Sequence, residues 1–506
     1  MSLPPLASGP HQADALRPLL ATVLDALDAG ARGRGGPLPA GGPGPVAARV
    51  REAVGELLPE QGDPGALAAI VRAMAEGSAD PADPLCAAHL HCPPLALPVA
   101  ADLAASALNP SLDSWDQAPA ASELEALVVG VLAGEVYGGS GVGVAGVSGA
   151  GAARVPGAVG ADVGPGVFGA GAPPASAGPA ASAGPSSTPT PSLTPDALVT
   201  TGGTESNHLA LLLAREAHGA GVRLVHGANA HHSLPRAAWL LGLPEPLVVP
   251  APGGVLDPVA LGEALARLTG PVMVAATAGT TDAGLIDPLP EIAARCAARG
   301  ARLHVDAAYG GGLLFSARHR GKLAGIRDAH TVTLDLHKIG WQPVAAGLLA
   351  VRDGADLDVL RHTADYLNAD DDTEAGLPDL LGRSLRTTRR PDVLKIAVTL
   401  KALGRTGLAE LVDQVCGLAR QFADRVEAHP RFELHARPVI STVLFRPVAA
   451  DVAAVRRTLL TQGRAVLGRA RTDDGRLWLK ATLLNPHTRP ADLDRLLDLV
   501  EGTTPT

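Results

Sequence analysis

Aromatic residues, cysteine and blocks of basic residues are scarce in this sequence, and each shortage argues against a class of protein. Phe, Trp and Tyr make up 2% of the 506 residues, and the net charge is −9. With no basic run and few aromatic rings to stack on bases, nucleic-acid binding has little support. The cysteines show no CxxC spacing, which argues against a disulfide scaffold or a metal site and is typical of a reducing compartment. They are Cys86, Cys92, Cys296 and Cys416.

Long apolar runs are missing as well. The first 20 residues contain neither a basic segment nor an apolar core, so we expect no signal peptide. The most apolar stretch, residues 124–151, is interrupted by Glu125 and Glu135 and is rich in glycine, which makes it a poor membrane span. We therefore expect a cytoplasmic protein without a membrane partner.

The chain is long enough for two or three domains. Residues 1–85 carry amphipathic patterns that predict an N-terminal helical arm, packed on the body of the protein or on a partner subunit. Residues 86–388 are expected to form a large domain, and residues 389–506 a small α+β domain. Within the large domain, residues 137–195 are mostly Gly, Ala, Pro, Ser and Thr, with almost no charge. Such a segment cannot bury enough apolar surface to order itself, so we expect a disordered surface insertion.

After the insertion, short β-type runs alternate with helical patterns. This alternation predicts an α/β fold with a mostly parallel, seven-stranded sheet covered by helices. Before the insertion, a helix is expected to begin at Ser122 as N-cap, with Glu125 at the capping-box position. The β-type runs lie near residues 198–200, 222–226, 247–250, 271–276, 302–305, 331–335 and 346–352.

Lysine is rare: only five of the 42 basic residues are lysines. Lys338 stands just past a predicted strand end, where open α/β sheets bind their ligands. Because arginine supplies nearly all other positive charge, a lysine at this place favours chemistry that needs a deprotonatable amine. The five are Lys322, Lys338, Lys395, Lys401 and Lys480.

Other polar residues are expected at the same edge of the sheet. Gly203 and Thr204 open a predicted helix, where backbone N–H groups and the helix dipole favour an anion, although a strand–helix turn needs glycine anyway. His231 has no partners at metal-ligand spacing, so its imidazole is better suited to stacking on a ring. Thr281 follows an apolar strand. Asp306, in a predicted interior, needs a cationic partner, which is either an arginine or a protonated ring nitrogen of a ligand.

A nucleophilic amine, an acid for a pyridinium nitrogen, a stacking imidazole and a helix start for a phosphate together predict a pyridoxal-phosphate site. A lysine Schiff base with an aspartate on the ring nitrogen is typical of that cofactor. The four parts occur in the order phosphate turn, stacking residue, ring partner and lysine.

Several segments resemble the group II pyridoxal-phosphate-dependent amino-acid decarboxylases of fold type I. The resemblance covers most of residues 86–490 and is strongest to bacterial diaminobutyrate and lysine decarboxylases. The segments are A-H-L-H-C-P-P, N-P-S-L-D-S-W-D-Q-A-P-A-A-S-E-L-E, T-G-G-T-E-S-N, A-H-H-S, A-T-A-G-T-T-D-A-G-L-I-D-P-L, H-V-D-A-A-Y-G-G, D-L-H-K, S-L-R-T-T-R-R and L-W-L-K-A-T-L-L-N-P.

The resemblance implies a role for each site residue and a homodimer with sites at its interface. Lys338 would form the Schiff base, and Lys338, His231 and Asp306 would be the catalytic residues. It further implies phosphate contacts from Gly203, Thr204 and His337, ring stacking by His231, contact of Asp306 with the pyridine nitrogen, and a ring lined by Thr281 and Ala308.

The substrate side departs from the family. His91 and Cys92 occupy the place of aromatic pocket residues. The stretch from Asn368 to Arg386, which matches a mobile lid, has no tyrosine to protonate the carbanion, and Tyr366 just before it is the nearest candidate. The acidic residues of this stretch could favour a substrate with a distal ammonium group, but a solvated loop explains them as well.

These observations predict an L-amino-acid decarboxylase that releases CO2 and an amine. Diaminobutyrate, lysine and ornithine are the favoured substrates. The alternatives are decarboxylation of aspartate, glutamate or aromatic amino acids, an aldehyde synthase or aminotransferase on the same cofactor, and a non-catalytic protein that kept the fold.

Overall fold

The computed structural model describes residues 4–9, 12–138, 193–362, 364 and 366–503. The insertion predicted at 137–195 lies almost entirely outside these ranges. Within them, no helix has the length and apolar character needed to cross a membrane.

In the described part of the chain, five helices precede the large sheet. The first three confirm the predicted helical patterns, with α1 and α3 packed on each other. The start of the fifth was predicted wrongly: it begins at Pro119, and Ser122 lies inside it, donating its hydroxyl to the carbonyl of Pro119 at 2.8 Å. Glu125 pairs instead with the buried Arg389 at 2.8 Å. Proline is favoured at the first helical position, so it sets the start without a side-chain cap. The helices are α1 (Gln12–Arg34), α2 (Pro43–Val54), α3 (Ala66–Gly77), α4 (Ala96–Leu108) and α5 (Pro119–Tyr137).

The large sheet has the seven strands expected from the sequence, in the order β1-β7-β6-β5-β4-β2-β3. All neighbouring strands are parallel except β7, which runs antiparallel to both β1 and β6. The strands are β1 (Asp196–Thr200), β2 (Arg223–Gly227), β3 (Leu247–Val249), β4 (Val272–Thr277), β5 (Arg302–Ala307), β6 (Thr331–Asp335) and β7 (Gly347–Val351).

Helices cover both faces of this sheet, so its central strands are buried throughout. Every residue of β4 and β6 is buried. One apolar core joins the sheet to α5 and α9, and a second joins its other face to α6 and α7. Burial on both faces is what places the polar residues of the strand ends in a shielded environment. The helices are α6 (Gly203–His218), α7 (Ser233–Leu240), α8 (Pro258–Arg267), α9 (Leu289–Arg299) and α10 (Asp370–Glu374).

The C-terminal part is an antiparallel sheet with helices, in the order β10-β11-β9-β8. Strand β10, whose two arginines alternate outward, was not predicted. The long helix α11 enters two cores: Val393 and Val412 belong to that of the large sheet, whereas Phe422 and Val426 belong to that of the small one. The elements are α11 (Val393–Ala428), β8 (Phe432–Leu434), β9 (Thr442–Pro447), α12 (Val452–Thr461), β10 (Gly468–Arg471), β11 (Leu477–Thr482) and α13 (Pro490–Glu501).

Candidate active site

The site lies where the carboxyl ends of β5 and β6 meet the start of α6. Asp306 is the penultimate residue of β5, and Asp335 is the last residue of β6. The turn after β6 carries His337 and Lys338. Ligands of open α/β sheets bind outside the carboxyl ends of parallel strands, so the fold brings these side chains to the expected edge.

Lys338 is partly buried and held by a carboxylate. Its Nζ lies 2.9 Å from Oδ2 of Asp335, and the side-chain exposures are 19% for the lysine and 2% for the aspartate. His337 Nε2 lies 3.5 Å from the same oxygen. Asp335 was missed in the sequence, although it stands in the D-L-H-K segment three residues before the lysine.

Asp306 is buried, and each of its carboxylate oxygens accepts a hydrogen bond. Nδ2 of Asn207 donates to Oδ2 at 2.8 Å, and the backbone N–H of Ala308 donates to Oδ1 at 3.1 Å. None of the ion pairs within the described ranges involves Asp306. An arginine partner, one of the two alternatives left by the sequence, is therefore absent from this part of the chain.

Asn207 organises a buried network behind Asp306. Its amide nitrogen also donates to Oγ of Ser233 at 2.9 Å, while its oxygen accepts from Oγ1 of Thr333 and lies 2.9 Å from Nε2 of His304. A carboxylate is acceptor-only, so the nitrogen of Asn207 must face Asp306 and its oxygen must face His304. Burial lowers the pKa of His304 to about 4, so its Nε2 carries the single ring proton and donates to Asn207.

Asn207 was another residue that sequence reasoning missed. It ends the T-G-G-T-E-S-N segment, where only the glycines and the threonine had drawn attention. The segment gives no sign that the asparagine points inward toward β5.

His231 lies just before α7 and joins the same network. Its Nδ1 is 2.8 Å from Oγ of Ser233, and Ser233 contacts Asn207 in turn. Burial lowers the pKa of His231, against an opposing influence of the Asp306 charge. A neutral imidazole fixed through one nitrogen presents a flat face, which is what stacking on a ring requires.

The start of α6 forms a narrow cradle. A methyl group added to Gly203 would lie 3.0 Å from Cβ of Ala308 and 3.1 Å from Oδ2 of Asp335. Thr204 follows with an exposed side chain. The backbone N–H of Ala346 donates to Nδ1 of His337 at 3.3 Å, so the ring proton of His337 sits on Nε2. This nitrogen lies 3.5 Å from Oδ2 of Asp335.

Ala308 and Thr281, the two residues predicted to line the ring, differ in their exposure. Ala308 is buried beside Asp306. Thr281 has an exposed side chain, and its carbonyl accepts from Nζ of Lys480 at 3.1 Å. Its place on the ring stays a prediction.

The three residues assigned to the substrate side differ in their exposure. Cys92 is buried in the core, where its Sγ donates to the carbonyl of His337 at 3.1 Å and burial raises its pKa to about 12. His91 is exposed. Tyr366 is 83% exposed. Of these residues, His91 and Tyr366 could reach a substrate, and their roles stay predictions.

Residues 188–448 match the family model of the pyridoxal-dependent decarboxylase conserved domain. The chain belongs to this family. It is 38% identical over 467 residues to L-2,4-diaminobutyrate decarboxylase of Rhizobium meliloti, covering 88% of this chain and 83% of that protein. The enzyme of the same name from Acinetobacter baumannii is 32% identical, covering 71% and 66%.

A solved structure gives the same result. The glutamate decarboxylase domain of diaminobutyrate-pyruvate transaminase and L-2,4-diaminobutyrate decarboxylase from Vibrio parahaemolyticus superposes with a TM-score of 0.76 at 26% identity. The match covers 98% of this chain and 97% of that one. The protein is therefore a pyridoxal-phosphate-dependent amino-acid decarboxylase of fold type I.

The geometry of the site fits this cofactor. A buried carboxylate without a cation, Asp306, suits a protonated pyridine nitrogen. The glycine cradle at the start of α6 suits a phosphate group. Lys338 offers the amine, and His231 offers the flat face. Within the described residues, no group of His, Cys, Asp and Glu is arranged to hold a metal ion.

Proposed function

We propose that this decarboxylase acts on L-2,4-diaminobutyrate and releases CO2 and 1,3-diaminopropane. The observation that carries the proposal is the 38% identity to the Rhizobium meliloti enzyme, which extends over 88% of this chain. A match of this length extends beyond residues 188–448, the part of the chain that the family model covers.

We further propose that Lys338, Asp306, His231, Gly203, Thr204 and His337 hold the cofactor. When bound, pyridoxal phosphate supplies an aldehyde that reacts with an amine. Its conjugated ring takes up the electron pair that remains on the α-carbon of the substrate when CO2 departs. Asp306 would hold a proton at the pyridine nitrogen, because its buried carboxylate has no ion-pair partner among the residues that the structure describes. Asn207 and the Ala308 N–H fix the direction of that carboxylate.

His231, which lies 2.8 Å from Oγ of Ser233 through its Nδ1, would stack on the cofactor ring and help to fix its plane. A fixed plane matters because decarboxylation requires the departing carboxylate to stand perpendicular to the ring, and orientation of this kind contributes much of an enzyme's rate. The network from Ser233 to Asn207 thus couples the orientation of the imidazole to that of Asp306.

The substrate carries a distal ammonium group, which an acidic surface would attract. Asp371, Asp372 and Glu374 lie on the short helix α10 and have exposed side chains. Their negative charge supports a diamino acid over aspartate or glutamate, because it attracts a second ammonium group and repels a second carboxylate.

We also propose that the protein is a cytoplasmic homodimer with the N-terminal helices at its interface. Apolar side chains stand exposed along these helices in the single chain, among them Leu24 of α1, Met74 of α3 and Leu108 of α4. Exposed apolar surface of this kind is typical of a protein–protein interface. All four cysteines are unpaired, which supports a reducing compartment.

The test is a substrate screen with the purified protein and pyridoxal phosphate. We expect CO2 and 1,3-diaminopropane in equal amounts from L-2,4-diaminobutyrate, and much slower release from lysine, ornithine, aspartate, glutamate and aromatic amino acids. A keto acid without CO2 would indicate an aminotransferase, and an aldehyde with ammonia would indicate an aldehyde synthase. Faster turnover of any other amino acid would overturn the substrate assignment.

Lys338→Ala provides the control for the cofactor. We expect it to lose the visible absorbance of the loaded enzyme and at least about a thousandfold in kcat, because the amine nucleophile is gone. Lys401→Ala, which removes an exposed lysine outside the proposed set, should keep the absorbance band.

A further inference from the structure

A chain of hydrogen bonds runs from Asp306 to His231 through Asn207 and Ser233, and these four residues form a relay. The hydroxyl oxygen of Ser233 lies 2.9 Å from Nδ2 of Asn207 and 2.8 Å from Nδ1 of His231. The side chain of Ser233 is fully buried. Among the residues that the structure describes, its hydroxyl group has no other hydrogen-bond partner. The relay therefore joins the two side chains that we assign to the cofactor ring.

Asp306 sets the direction of the first bond in the relay. An ionised carboxylate only accepts hydrogen bonds, so the amide nitrogen of Asn207, 2.8 Å from Oδ2, must be the donor. The other hydrogen of this nitrogen goes to Ser233, whose hydroxyl oxygen is the acceptor. At the opposite end, the amide oxygen of Asn207 accepts from Nε2 of His304 and Oγ1 of Thr333. Donors on that side keep the amide from turning over.

The hydroxyl proton of Ser233 then has one acceptor left, which is Nδ1 of His231. A hydroxyl group donates one hydrogen, and its other partner, the nitrogen of Asn207, is itself a donor. The backbone N–H of Ser233 also points at Nδ1 of His231, at 3.3 Å. Because two donors converge on Nδ1, this nitrogen carries no proton. The single proton of the neutral ring therefore lies on Nε2.

We propose that Ser233 is a positioning residue that transmits the charge of Asp306 to His231 and holds the imidazole as the neutral Nε2–H tautomer. The inference rests on the cofactor site proposed above. One chain of hydrogen bonds thus sets both the carboxylate that pairs with the ring nitrogen and the imidazole that stacks on the ring.

A neutral imidazole matters because the cofactor ring would carry a positive charge. Asp306 would keep its pyridine nitrogen protonated, and a protonated imidazole stacked on that ring would place two cations face to face in a shielded site. The relay prevents this, since it occupies the lone pair that a second proton needs. Burial of His231 acts in the same direction by lowering its pKa; the charges of Asp306 and Asp335 oppose this effect, and those of His232 and Lys338 reinforce it.

Nitrogen NMR of the cofactor-free protein, with isotope-labelled histidine rings, tests the tautomer directly. Ring nitrogens with and without a proton resonate in separate ranges, and their couplings to the carbon-bound ring protons distinguish Nδ1 from Nε2. The signals of His231 are identified by their loss in His231→Gln. We expect Nδ1 of the wild type to be unprotonated and Nε2 to be protonated. A protonated Nδ1 in the wild type would overturn the inference.

Ser233→Ala interrupts the relay and should change both the tautomer and the affinity for pyridoxal phosphate. We expect part of His231 to shift to the Nδ1–H tautomer, because one of the two donors to Nδ1 is lost. Cofactor affinity should fall about 2- to 10-fold, the range for loss of one hydrogen bond between neutral groups. Ser233→Thr keeps the hydroxyl group and should restore the wild-type signals.

Ser206→Ala is the matched control. Ser206 directly precedes Asn207 and is equally buried, but its hydroxyl group lies 2.8 Å from Oγ1 of Thr200 and takes no part in the relay. We expect this variant to keep the wild-type signals of His231, which would show that loss of a buried hydroxyl group is not by itself the cause.

Asp306→Asn tests where the direction of the relay originates. An amide can donate as well as accept, so the direction of Asn207 is no longer forced, and a second tautomer should appear at His231. If Ser233→Ala does not fold, the wild type and Asp306→Asn decide. Unchanged His231 signals in either variant would overturn the inference while leaving the decarboxylase intact. A wild-type protein that fails to bind pyridoxal phosphate would instead overturn the proposed function.

Discussion

The two sides of the active site are built differently. On the cofactor side, Asp306, Asn207 and Ser233 form a closed set of hydrogen bonds within one chain, deep between the sheet and α6. On the substrate side, Tyr366 and His91 stand exposed. The first side is closed by hydrogen bonds within a single chain, whereas no side-chain hydrogen bond of Tyr366 or His91 is found among the residues that the structure describes.

This difference has a physical reason. A buried carboxylate or amide must find its hydrogen-bond partners inside the protein, because an unsatisfied group costs about 1–3 kcal/mol. The cofactor side is therefore ordered by folding itself. The exposed side has no such requirement, so a partner subunit or the substrate can supply its order.

Replacing Asp306, at the centre of the cofactor side, should have the largest effect on catalysis. We expect Asp306→Asn to lower kcat by about a hundredfold or more, because a neutral amide cannot hold a proton at the pyridine nitrogen. Steady-state kinetics at saturating pyridoxal phosphate provide the measurement. A kcat equal to that of the wild type at saturating pyridoxal phosphate would show that Asp306 serves only binding.

One step away from the ring, the effect should be smaller. Asn207→Ala removes the donor to Oδ2 of Asp306, and hydrogen bonds to charged groups are worth about 1.5–3 kcal/mol. We therefore expect pyridoxal phosphate to bind about 10- to 100-fold more weakly, measured by absorbance titration of the cofactor-free protein.

Thr333→Val is the control for that variant. It removes the hydrogen bond that Oγ1 of Thr333 donates to the side-chain oxygen of Asn207. The hydrogen bond from the nitrogen of Asn207 to Asp306 stays in place. Its effect on cofactor affinity should be smaller than that of Asn207→Ala. Equal losses from both variants would mean that general disturbance of the core, and not the direction of Asp306, is responsible.

On the substrate side, the smallest effect is expected. Tyr366→Phe removes one hydroxyl from a side chain that is 83% exposed in the single chain, so kcat should change by about twofold at most. A drop of two orders of magnitude, or a new aldehyde product, would contradict this. It would show that the tyrosine donates the proton and that assembly closes the exposed side.

Much of the architecture could be predicted because the apolar periodicity of a helix or strand is visible within a short stretch of sequence. The seven strands and the three N-terminal helices follow from such patterns, and the strand ends at Asp306 and Lys338 follow from the polar residues that terminate them. The start of α5 could not, because a proline at its first turn replaced the expected capping by Ser122.

The roles of Asn207 and Asp335 were not predicted from the sequence, for another reason. Their importance depends on which side chains meet across β5, β6 and α6, and that requires the register of the sheet. Asp306 lies opposite Thr333, and Thr333 contacts Asn207, which stands more than 100 positions earlier in the chain. No local pattern encodes a contact over such a distance.

The helix α11 makes the two sheets mechanically dependent on each other. Because Val412 on this helix is buried against the large sheet and Phe422 against the small one, neither sheet can separate without uncovering part of the helical segment that follows the kink at Gly404. A chain cut at residue 389 would leave the cofactor side without Val393, Ile396 and Val412. The binding of a small molecule at the edge of one sheet should therefore also protect the other, distant sheet against unfolding.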